Sequence, residues 1–208
     1  MIVVIAAVYH QRVQQDTAAF VLAGGKSTRM GADKAFRELG GCTLLARAME
    51  LAGSVSEDVR IVGDREKFLP FGRVVEDVHS GHGPLGGIHA ALATSSAALN
   101  LVLAVDMPFV EPMFLSYLLS QASRSSAVVT LPCAGGGWQP LCAVYRLEFL
   151  QAAEPALRKG RNKIDALFDQ MEVRALREEE LGRMGFSAAM FRNLNTPEEF
   201  ERARAQWR

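Results

Sequence analysis

The feature that most constrains the fold is a regular alternation between short apolar runs and segments with helical spacing. The clearest run, Asn100 to Val105, is apolar from its second residue onward. Apolar strands separated by helices indicate a mostly parallel sheet that helices cover on both faces. We therefore predict one α/β domain with a Rossmann-like three-layer α/β/α architecture. The predicted strands are 18–22, 59–62, 73–76, 100–105 and 127–130, with an extended segment at 138–145. The predicted helices are 42–53, 111–122, 147–157, 162–169 and 197–206. A further helix is predicted through Ile88 to Leu92, after a glycine-rich loop at 81–87.

Composition narrows the class of protein. The 208 residues correspond to one domain at about 150 residues per domain, and the formal net charge is zero. A duplex-DNA binder would show a basic excess, so we expect no nucleic-acid partner. The three cysteines lack Cys-x-x-Cys spacing, which favours reduced thiols over a disulfide framework or a zinc site.

The first residues form an extension ahead of the domain. Residues 1–17 contain one apolar run, Met1 to Val8, which lacks the basic flank of a signal peptide. No apolar run reaches the ~20 residues that span a bilayer. We therefore assign 1–17 to an N-terminal extension and 18–208 to the domain, and we expect a cytoplasmic protein without membrane contact.

The most informative segment follows the first predicted strand. Residues 22–34 contain three glycines together with Lys26, Arg29 and Lys34. Glycines permit close approach to main-chain N–H groups, and cations add charge, so this loop is suited to binding phosphates. Ligands of parallel sheets lie at the carboxyl ends of strands, where Asp77 and Asp106 also stand.

Two other glycine patterns predict different functions and fail on inspection. Gly25-Lys26-Ser27 resembles the end of a Walker A loop, but position 20 is Phe where that motif requires glycine. Gly81 to Gly86 fits the dinucleotide pattern G-x-G-x-x-G, but it does not follow the strand directly. Pro84 also removes an N–H donor there. Three nearby histidines, His79, His82 and His89, have no regular metal spacing and favour a solvated loop.

Five motifs in the same order resemble a known family. The first, Leu22 to Lys34, is similar to the signature L-A-G-G-x-S-x-R-M-G-x-D-K of nucleotidyltransferases. The other four are Gly83-Pro84-Leu85-Gly86-Gly87, Asp106-Met107-Pro108-Phe109, Gln139-Pro140-Leu141 and Asn193-Leu194-Asn195-Thr196-Pro197-Glu198-Glu199. Together they resemble the molybdenum cofactor guanylyltransferases over residues 18–207.

This resemblance implies a fold, an activity and a nucleotide site. The fold is that of the nucleotidyltransferases, and the activity is transfer of GMP from GTP to molybdenum-molybdopterin with release of pyrophosphate. Lys34 and Arg29 would stabilise phosphate charge, and Asp106 would bind Mg²⁺, the implied cofactor. The nucleotide-binding residues implied are Leu22, Ala23, Gly24, Gly25, Lys34, Asp77 and Asp106.

The acceptor site is harder to predict. Gln139, Lys163, Asn193 and Asn195 are candidates, because amides match the edge of a pterin and a cation matches its phosphate. Two alternatives to the guanylyltransferase are a cytidylyltransferase that uses CTP and a non-catalytic nucleotide-binding regulator. The labile product suggests transient contact with molybdoenzyme maturation chaperones. Oligomeric state and the role of the extension do not follow from the sequence.

Overall fold

The fold is given by a computed structural model, which describes residues 16–24, 33–77 and 81–207. The strands are β1 (Thr17–Leu22), β2 (Glu38–Leu39), β3 (Cys42–Thr43), β4 (Asp58–Val62), β5 (Arg73–Val75), β6 (Leu99–Ala104), β7 (Val129–Ala134), β8 (Gly137–Trp138), β9 (Cys142–Tyr145) and β10 (Val173–Arg177). The α-helices are α1 (Leu44–Gly53), α2 (Arg65–Phe68), α3 (Gly83–Ala93), α4 (Pro112–Ser123), α5 (Leu150–Arg158), α6 (Glu178–Arg183) and α7 (Pro197–Gln206). Short 3₁₀ turns occupy Lys34–Phe36, Leu69–Phe71, Leu147–Phe149, Asp165–Gln170 and Ala188–Phe191.

Eight strands form the central sheet in the order β10-β7-β9-β6-β1-β4-β5, with β8 paired to β7. Strand β1 is parallel to both β4 and β6, β4 is parallel to β5, and β10 is parallel to β7. Only β9 and β8 run antiparallel to their neighbours within the described part of this sheet. The predicted mostly parallel sheet is confirmed. A separate two-stranded sheet joins β2 to β3.

Both faces of the sheet are covered, which gives the predicted three layers. Alternate residues of β1 point to opposite faces: Ala19 and Val21 pack with α1 and α4, whereas Ala18 and Phe20 pack towards α3. The second face continues under α5, where Tyr145 and the helix pack in one buried cluster. The apolar character of the strands on both sides therefore reflects burial between two helical layers.

The glycine-rich segment 81–87 is helical for most of its length, so its prediction as a loop is wrong. Helix α3 begins at Gly83 and includes Pro84 in its first turn, where the missing proline N–H has no helical partner to lose. Gly87 faces the sheet, and an added β-carbon there would lie 3.4 Å from Leu22 and 3.6 Å from Val62. The glycines thus bring the helix close to β1 and β4.

The carboxy-terminal half contains further differences. Strand β10 is missing from the predicted strands, because Arg174 and Arg177 interrupt its apolar pattern at a sheet edge. Arg177 ends β10, α6 begins at Glu178, and the Glu180 carboxylate accepts a hydrogen bond from Arg174. Residues 165–170 form 3₁₀ turns, and the segment 138–145 is interrupted between β8 and β9.

At the amino-terminal end, Thr17 belongs to β1, and residues 1–15 lie outside the described part.

Candidate active site

The carboxyl end of β1 is fixed by its two neighbouring strands. The N–H groups of Ala23 and Gly24 both donate to the Val62 carbonyl at 3.0 Å, and the Val105 N–H donates to the Leu22 carbonyl at 3.1 Å. Leu22, Ala23 and Gly24, the residues that the resemblance implies for the nucleotide, therefore lie at the carboxyl edge of the sheet. Two of their N–H groups are already engaged. Gly25 and Arg29 lie outside the described residues.

Lys34 emerges from a short 3₁₀ turn at the far end of the first loop. Asp33 caps this turn, because its side chain accepts a hydrogen bond from the Ala35 N–H. Asp33 also forms an ion pair with Lys67 of α2. Lys67 lies over the ring of Phe68, and burial lowers the pKa of its ammonium. These contacts fix the backbone that carries Lys34.

The side chain of Lys34 lies between two oxygen acceptors. Its ammonium donates to the Asp106 carboxylate at 3.3 Å and to the Asn195 amide oxygen at 2.7 Å. About one fifth of the Lys34 and Asp106 side chains is exposed. The structure thus brings together three of the predicted site residues from three distant parts of the chain.

The start of helix α7 holds both acceptors in place. The Glu199 carboxylate accepts from the N–H groups of Asn195 at 2.7 Å and Thr196 at 3.0 Å, while the Thr196 hydroxyl accepts from the Glu199 N–H. This reciprocal pair is a capping box. The Leu194 N–H donates to the Asp106 carbonyl at 3.0 Å. One short segment therefore contacts Asp106 through its main chain and Lys34 through a side chain.

The other end of α7 is also anchored. The Trp207 ring lies 5.4 Å from the Phe109 ring, and the Arg47 guanidinium lies 4.2 Å above Trp207. Gly40 in the β2–β3 turn has a φ of +63°, and a β-carbon there would collide with Trp207. Helix α7 is therefore packed against α1, the β2–β3 turn and the loop after Asp106.

Asp77 and Asp106 follow strands that lie on opposite sides of β1. Asp77 follows the edge strand β5 and is partly buried, whereas Asp106 follows β6 on the other side of β1. Three strand spacings of about 4.8 Å separate β5 from β6. At this strand separation we expect the two carboxylates not to share one ion.

The remaining acceptor candidates are spread along the carboxyl edge. Gln139 lies before β9, and its amide donates to the Ala134 carbonyl at 3.0 Å. The Lys163 side chain is exposed and forms an ion pair of 3.4 Å with Asp165. The side-chain oxygen of Asn193 is buried without a hydrogen bond. No side-chain hydrogen bond or ion pair joins these residues to Lys34, Asp106 or Asn195 within the described segments.

The neighbouring loop reaches the start of α3. His82 Nδ1 lies 2.8 Å from the Asn162 amide oxygen. This contact connects the segment before Lys163 to the amino-terminal end of α3. His79 lies outside the described residues. His82 and His89 join no group of three metal-ligand side chains in the described part of the chain.

Comparison with known proteins identifies the family. Residues 19–176 match the MobA-like NTP transferase domain. The chain belongs to this family. A protein named "Probable molybdenum cofactor guanylyltransferase" from Pelotomaculum thermopropionicum is 38% identical over 186 residues, covering 88% of this chain and 90% of the relative. A second relative, "Molybdenum cofactor guanylyltransferase" from Desulfosudis oleivorans, is 34% identical over 188 residues, covering 89% and 93%.

A crystal structure shows the same fold. That of molybdopterin-guanine dinucleotide biosynthesis protein A from Archaeoglobus fulgidus superposes with a TM-score of 0.80 at 27% identity, covering 91% of this chain and 97% of the other. The nucleotidyltransferase fold that the five motifs predict is therefore confirmed. No helix in the described ranges is long and apolar enough to cross a membrane.

Sequence reasoning in this MobA-like domain missed the role of Glu199. The capping pattern Thr196-Pro197-Glu198-Glu199 is legible in the sequence, and in the structure Thr196 caps α7. What the pattern does not show is that the same carboxylate also binds the Asn195 N–H. The available signal was Glu199, a carboxylate three residues after the cap Thr196. Its connection to Lys34 runs through the Asn195–Lys34 hydrogen bond, which joins distant parts of the chain.

Proposed function

We propose that this chain transfers GMP from GTP to the phosphate of molybdenum-molybdopterin and releases pyrophosphate. The observation that carries the proposal is the Lys34 ammonium held between Asp106 and Asn195 at the carboxyl edge of a MobA-like domain. The names of the relatives at 34% and 38% identity support guanosine as the nucleoside and molybdopterin as the acceptor.

The reaction forms a bond between an acceptor phosphate oxygen and the α-phosphorus of GTP. The bond from that phosphorus to the bridging oxygen breaks, and pyrophosphate leaves with the electron pair. Both reactants are anions, so the site must neutralise charge and align them. In this proposal, Lys34 binds the phosphates and stabilises the charge that develops on them. Arg29 of the same loop adds a second cation.

The residues present fit a magnesium ion bound jointly with substrate. Asp106 supplies one carboxylate, and no group of three His, Cys, Asp or Glu side chains converges within the described residues. Mg²⁺ in such sites takes one or two carboxylates and completes its shell with phosphate oxygens and water. When bound, the ion would offset the charge of the triphosphate. Asp106 is the residue that would hold it.

No cysteine is needed for this chemistry. Cys142 is buried in β9, and burial raises the pKa of its thiol well above the ordinary value. A thiol that stays protonated is a poor nucleophile. In our proposal the acceptor phosphate itself attacks the α-phosphorus, so the reaction requires no covalent enzyme intermediate.

Two measurements test the proposal. The first compares thermal stabilisation by GTP, CTP, ATP and NAD, each with and without Mg²⁺. A ligand at 100 times its dissociation constant adds about 2.7 kcal/mol of stability. We expect the largest shift with GTP and Mg²⁺. A shift confined to CTP would assign the chain to cytidylyl transfer, and no shift with any triphosphate would contradict the phosphate site.

The second measurement is pyrophosphate release from GTP on addition of molybdenum-molybdopterin. Release that depends on the acceptor is the expected result. GTP binding without pyrophosphate release at saturating acceptor would instead indicate a nucleotide-binding regulator.

We also propose delivery of the product in the cytoplasm to molybdoenzyme maturation chaperones. Affinity capture of the tagged chain tests that contact, and recovery without any such chaperone would count against it.

A further inference from the structure

A lysine ammonium needs more than a fixed backbone to occupy one position. The 3₁₀ turn fixes the Cα of Lys34, but four methylene groups separate Cα from the ammonium. Two described contacts restrict that ammonium: Asp106 at 3.3 Å and Asn195 at 2.7 Å. The Asn195 contact is the shorter of the two.

The two acceptors differ in charge, and the difference matters for a polyphosphate site. The Asp106 carboxylate is an anion and would be shared with a metal ion in the proposed reaction. The Asn195 amide is neutral, so it orients the ammonium without cancelling its positive charge. A neutral acceptor at this position adds no second negative charge beside Lys34, which already pairs with Asp106.

Asn195 is itself held by the chain on both sides. Its N–H donates to the Glu199 carboxylate at 2.7 Å, and the preceding Leu194 is fully buried and bonded to the Asp106 carbonyl. The amide oxygen is therefore presented to Lys34 from a segment fixed by the capping box of α7.

We propose that Asn195 is a positioning residue, which orients the Lys34 ammonium for the triphosphate instead of contacting the acceptor. This inference rests on the proposed role of Lys34 in phosphate binding. It does not depend on which base the nucleotide carries. It makes the start of helix α7 part of the nucleotide site.

The test is a double-mutant cycle on nucleotide affinity. Calorimetric titration with GTP and Mg²⁺ gives Kd for the wild type, Lys34→Ala, Asn195→Ala and the double variant. A hydrogen bond to a charged group is worth roughly tenfold in an equilibrium. We expect Asn195→Ala to weaken binding about tenfold in the wild type but less than about twofold in the Lys34→Ala background. Equal losses in both backgrounds would overturn the proposal.

Two further variants test charge and folding. Asn195→Asp keeps an oxygen acceptor but adds an anion, so we expect weaker GTP binding than with Asn195→Ala; equal or tighter binding would contradict the argument from neutrality. Glu201→Ala, an exposed change in the same helix, is the matched control and should keep the wild-type Kd. Because the Asn195 side chain is exposed, each variant should melt within a few degrees of wild type.

The acceptor supplies an independent readout. Positioning through Lys34 predicts an unchanged KM for molybdenum-molybdopterin in Asn195→Ala, with a lower kcat. A raised acceptor KM with unchanged kcat would place Asn195 in the acceptor site and overturn the inference. If the wild type binds CTP but not GTP, only the guanylyl assignment is refuted. The same double-mutant cycle would then be measured with CTP.

Discussion

The ammonium of Lys34 lies 2.7 Å from the amide oxygen of Asn195, although 161 positions separate the two residues in the chain. One residue follows the first strand of the sheet and the other precedes the last helix. The contact connects the 3₁₀ turn of Lys34 to the segment that begins the carboxy-terminal helix. Under the proposed function it makes that helix relevant to chemistry as well as to stability.

Replacement of Lys34 by alanine should remove most of the activity. Loss of a cation that stabilises transition-state charge reduces turnover by about 10²-fold. The assay is acceptor-dependent release of pyrophosphate at saturating GTP. Arg158→Ala serves as a control, because Arg158 pairs only with Glu154 on an exposed helix face in the described contacts. Activity of Lys34→Ala within threefold of wild type would exclude this lysine from the mechanism.

Asp106→Asn should separate metal binding from folding. The carboxylate contacts Lys34, whereas the main chain of Asp106 holds Leu194, so an isosteric amide preserves the backbone contact. We expect a melting temperature close to that of the wild type and loss of Mg²⁺-dependent turnover. The measurement is a magnesium titration of rate for both proteins. Full activity of the variant at high Mg²⁺ would mean that another group holds the ion.

Glu199→Ala should weaken both α7 and the site. Removal of a capping interaction costs about 1 kcal/mol, which corresponds to a fall of about 2–4 °C in melting temperature for a chain of this size. GTP affinity should also fall, because Asn195 loses its anchor. Glu201→Ala provides the comparison, since its contact with Arg204 is exposed and long at 3.9 Å. Equal effects of the two substitutions would contradict a special role for the capping box.

Gly63 occupies a position where a side chain does not fit. A β-carbon there would lie 2.8 and 2.9 Å from atoms of the buried Phe68 ring. Gly63→Ala should therefore reduce the free energy of unfolding by about 1–3 kcal/mol, as overpacking does. At Gly53 no atom lies within 4 Å of an added β-carbon, so Gly53→Ala should be neutral or slightly stabilising. Urea denaturation of both variants measures the difference.

Acid should remove the stability that Glu180 contributes. Hydrogen bonds from Arg174 and then Tyr117 hold the pKa of the Glu180 carboxyl below its ordinary value of 4.5, although burial opposes the shift. A depressed pKa stabilises the fold above the unfolded value and loses that effect as pH falls through the folded value. The melting temperature of wild type should exceed that of Glu180→Gln at pH 7, and the difference should shrink below about pH 4.5. A difference that is independent of pH would contradict this linkage.

The sequence is informative wherever the signal is local. The apolar run from Asn100 to Val105 predicts β6 because both faces of that strand are buried, and Thr196 with Pro197 predicts the start of α7. The mistaken loop at 81–87 has a local cause as well. Glycines that serve close packing in α3 produce the same pattern as glycines of a turn, and only the neighbouring strands distinguish the two.

Contacts between distant segments account for what the sequence could not provide. Strand β10 is stabilised because Leu176 packs beneath α6 and one edge of the strand pairs with β7. Neither neighbour is visible in the sequence of the strand. In the same way, the sequence predicts that the amide of Asn195 binds a polar ligand. Its partner is a lysine from the opposite end of the chain.

The segment that caps α7, Leu194 to Thr196, is also synthesised late. Leu194 to Thr196 follow every strand of the sheet, so a growing polypeptide on the ribosome acquires its carboxyl edge before it acquires the oxygen that orients Lys34. The sheet can assemble while that ammonium still lacks its second acceptor. Under the proposed role of Asn195, the last roughly tenfold of nucleotide affinity should therefore be gained only when the start of the last helix is in place.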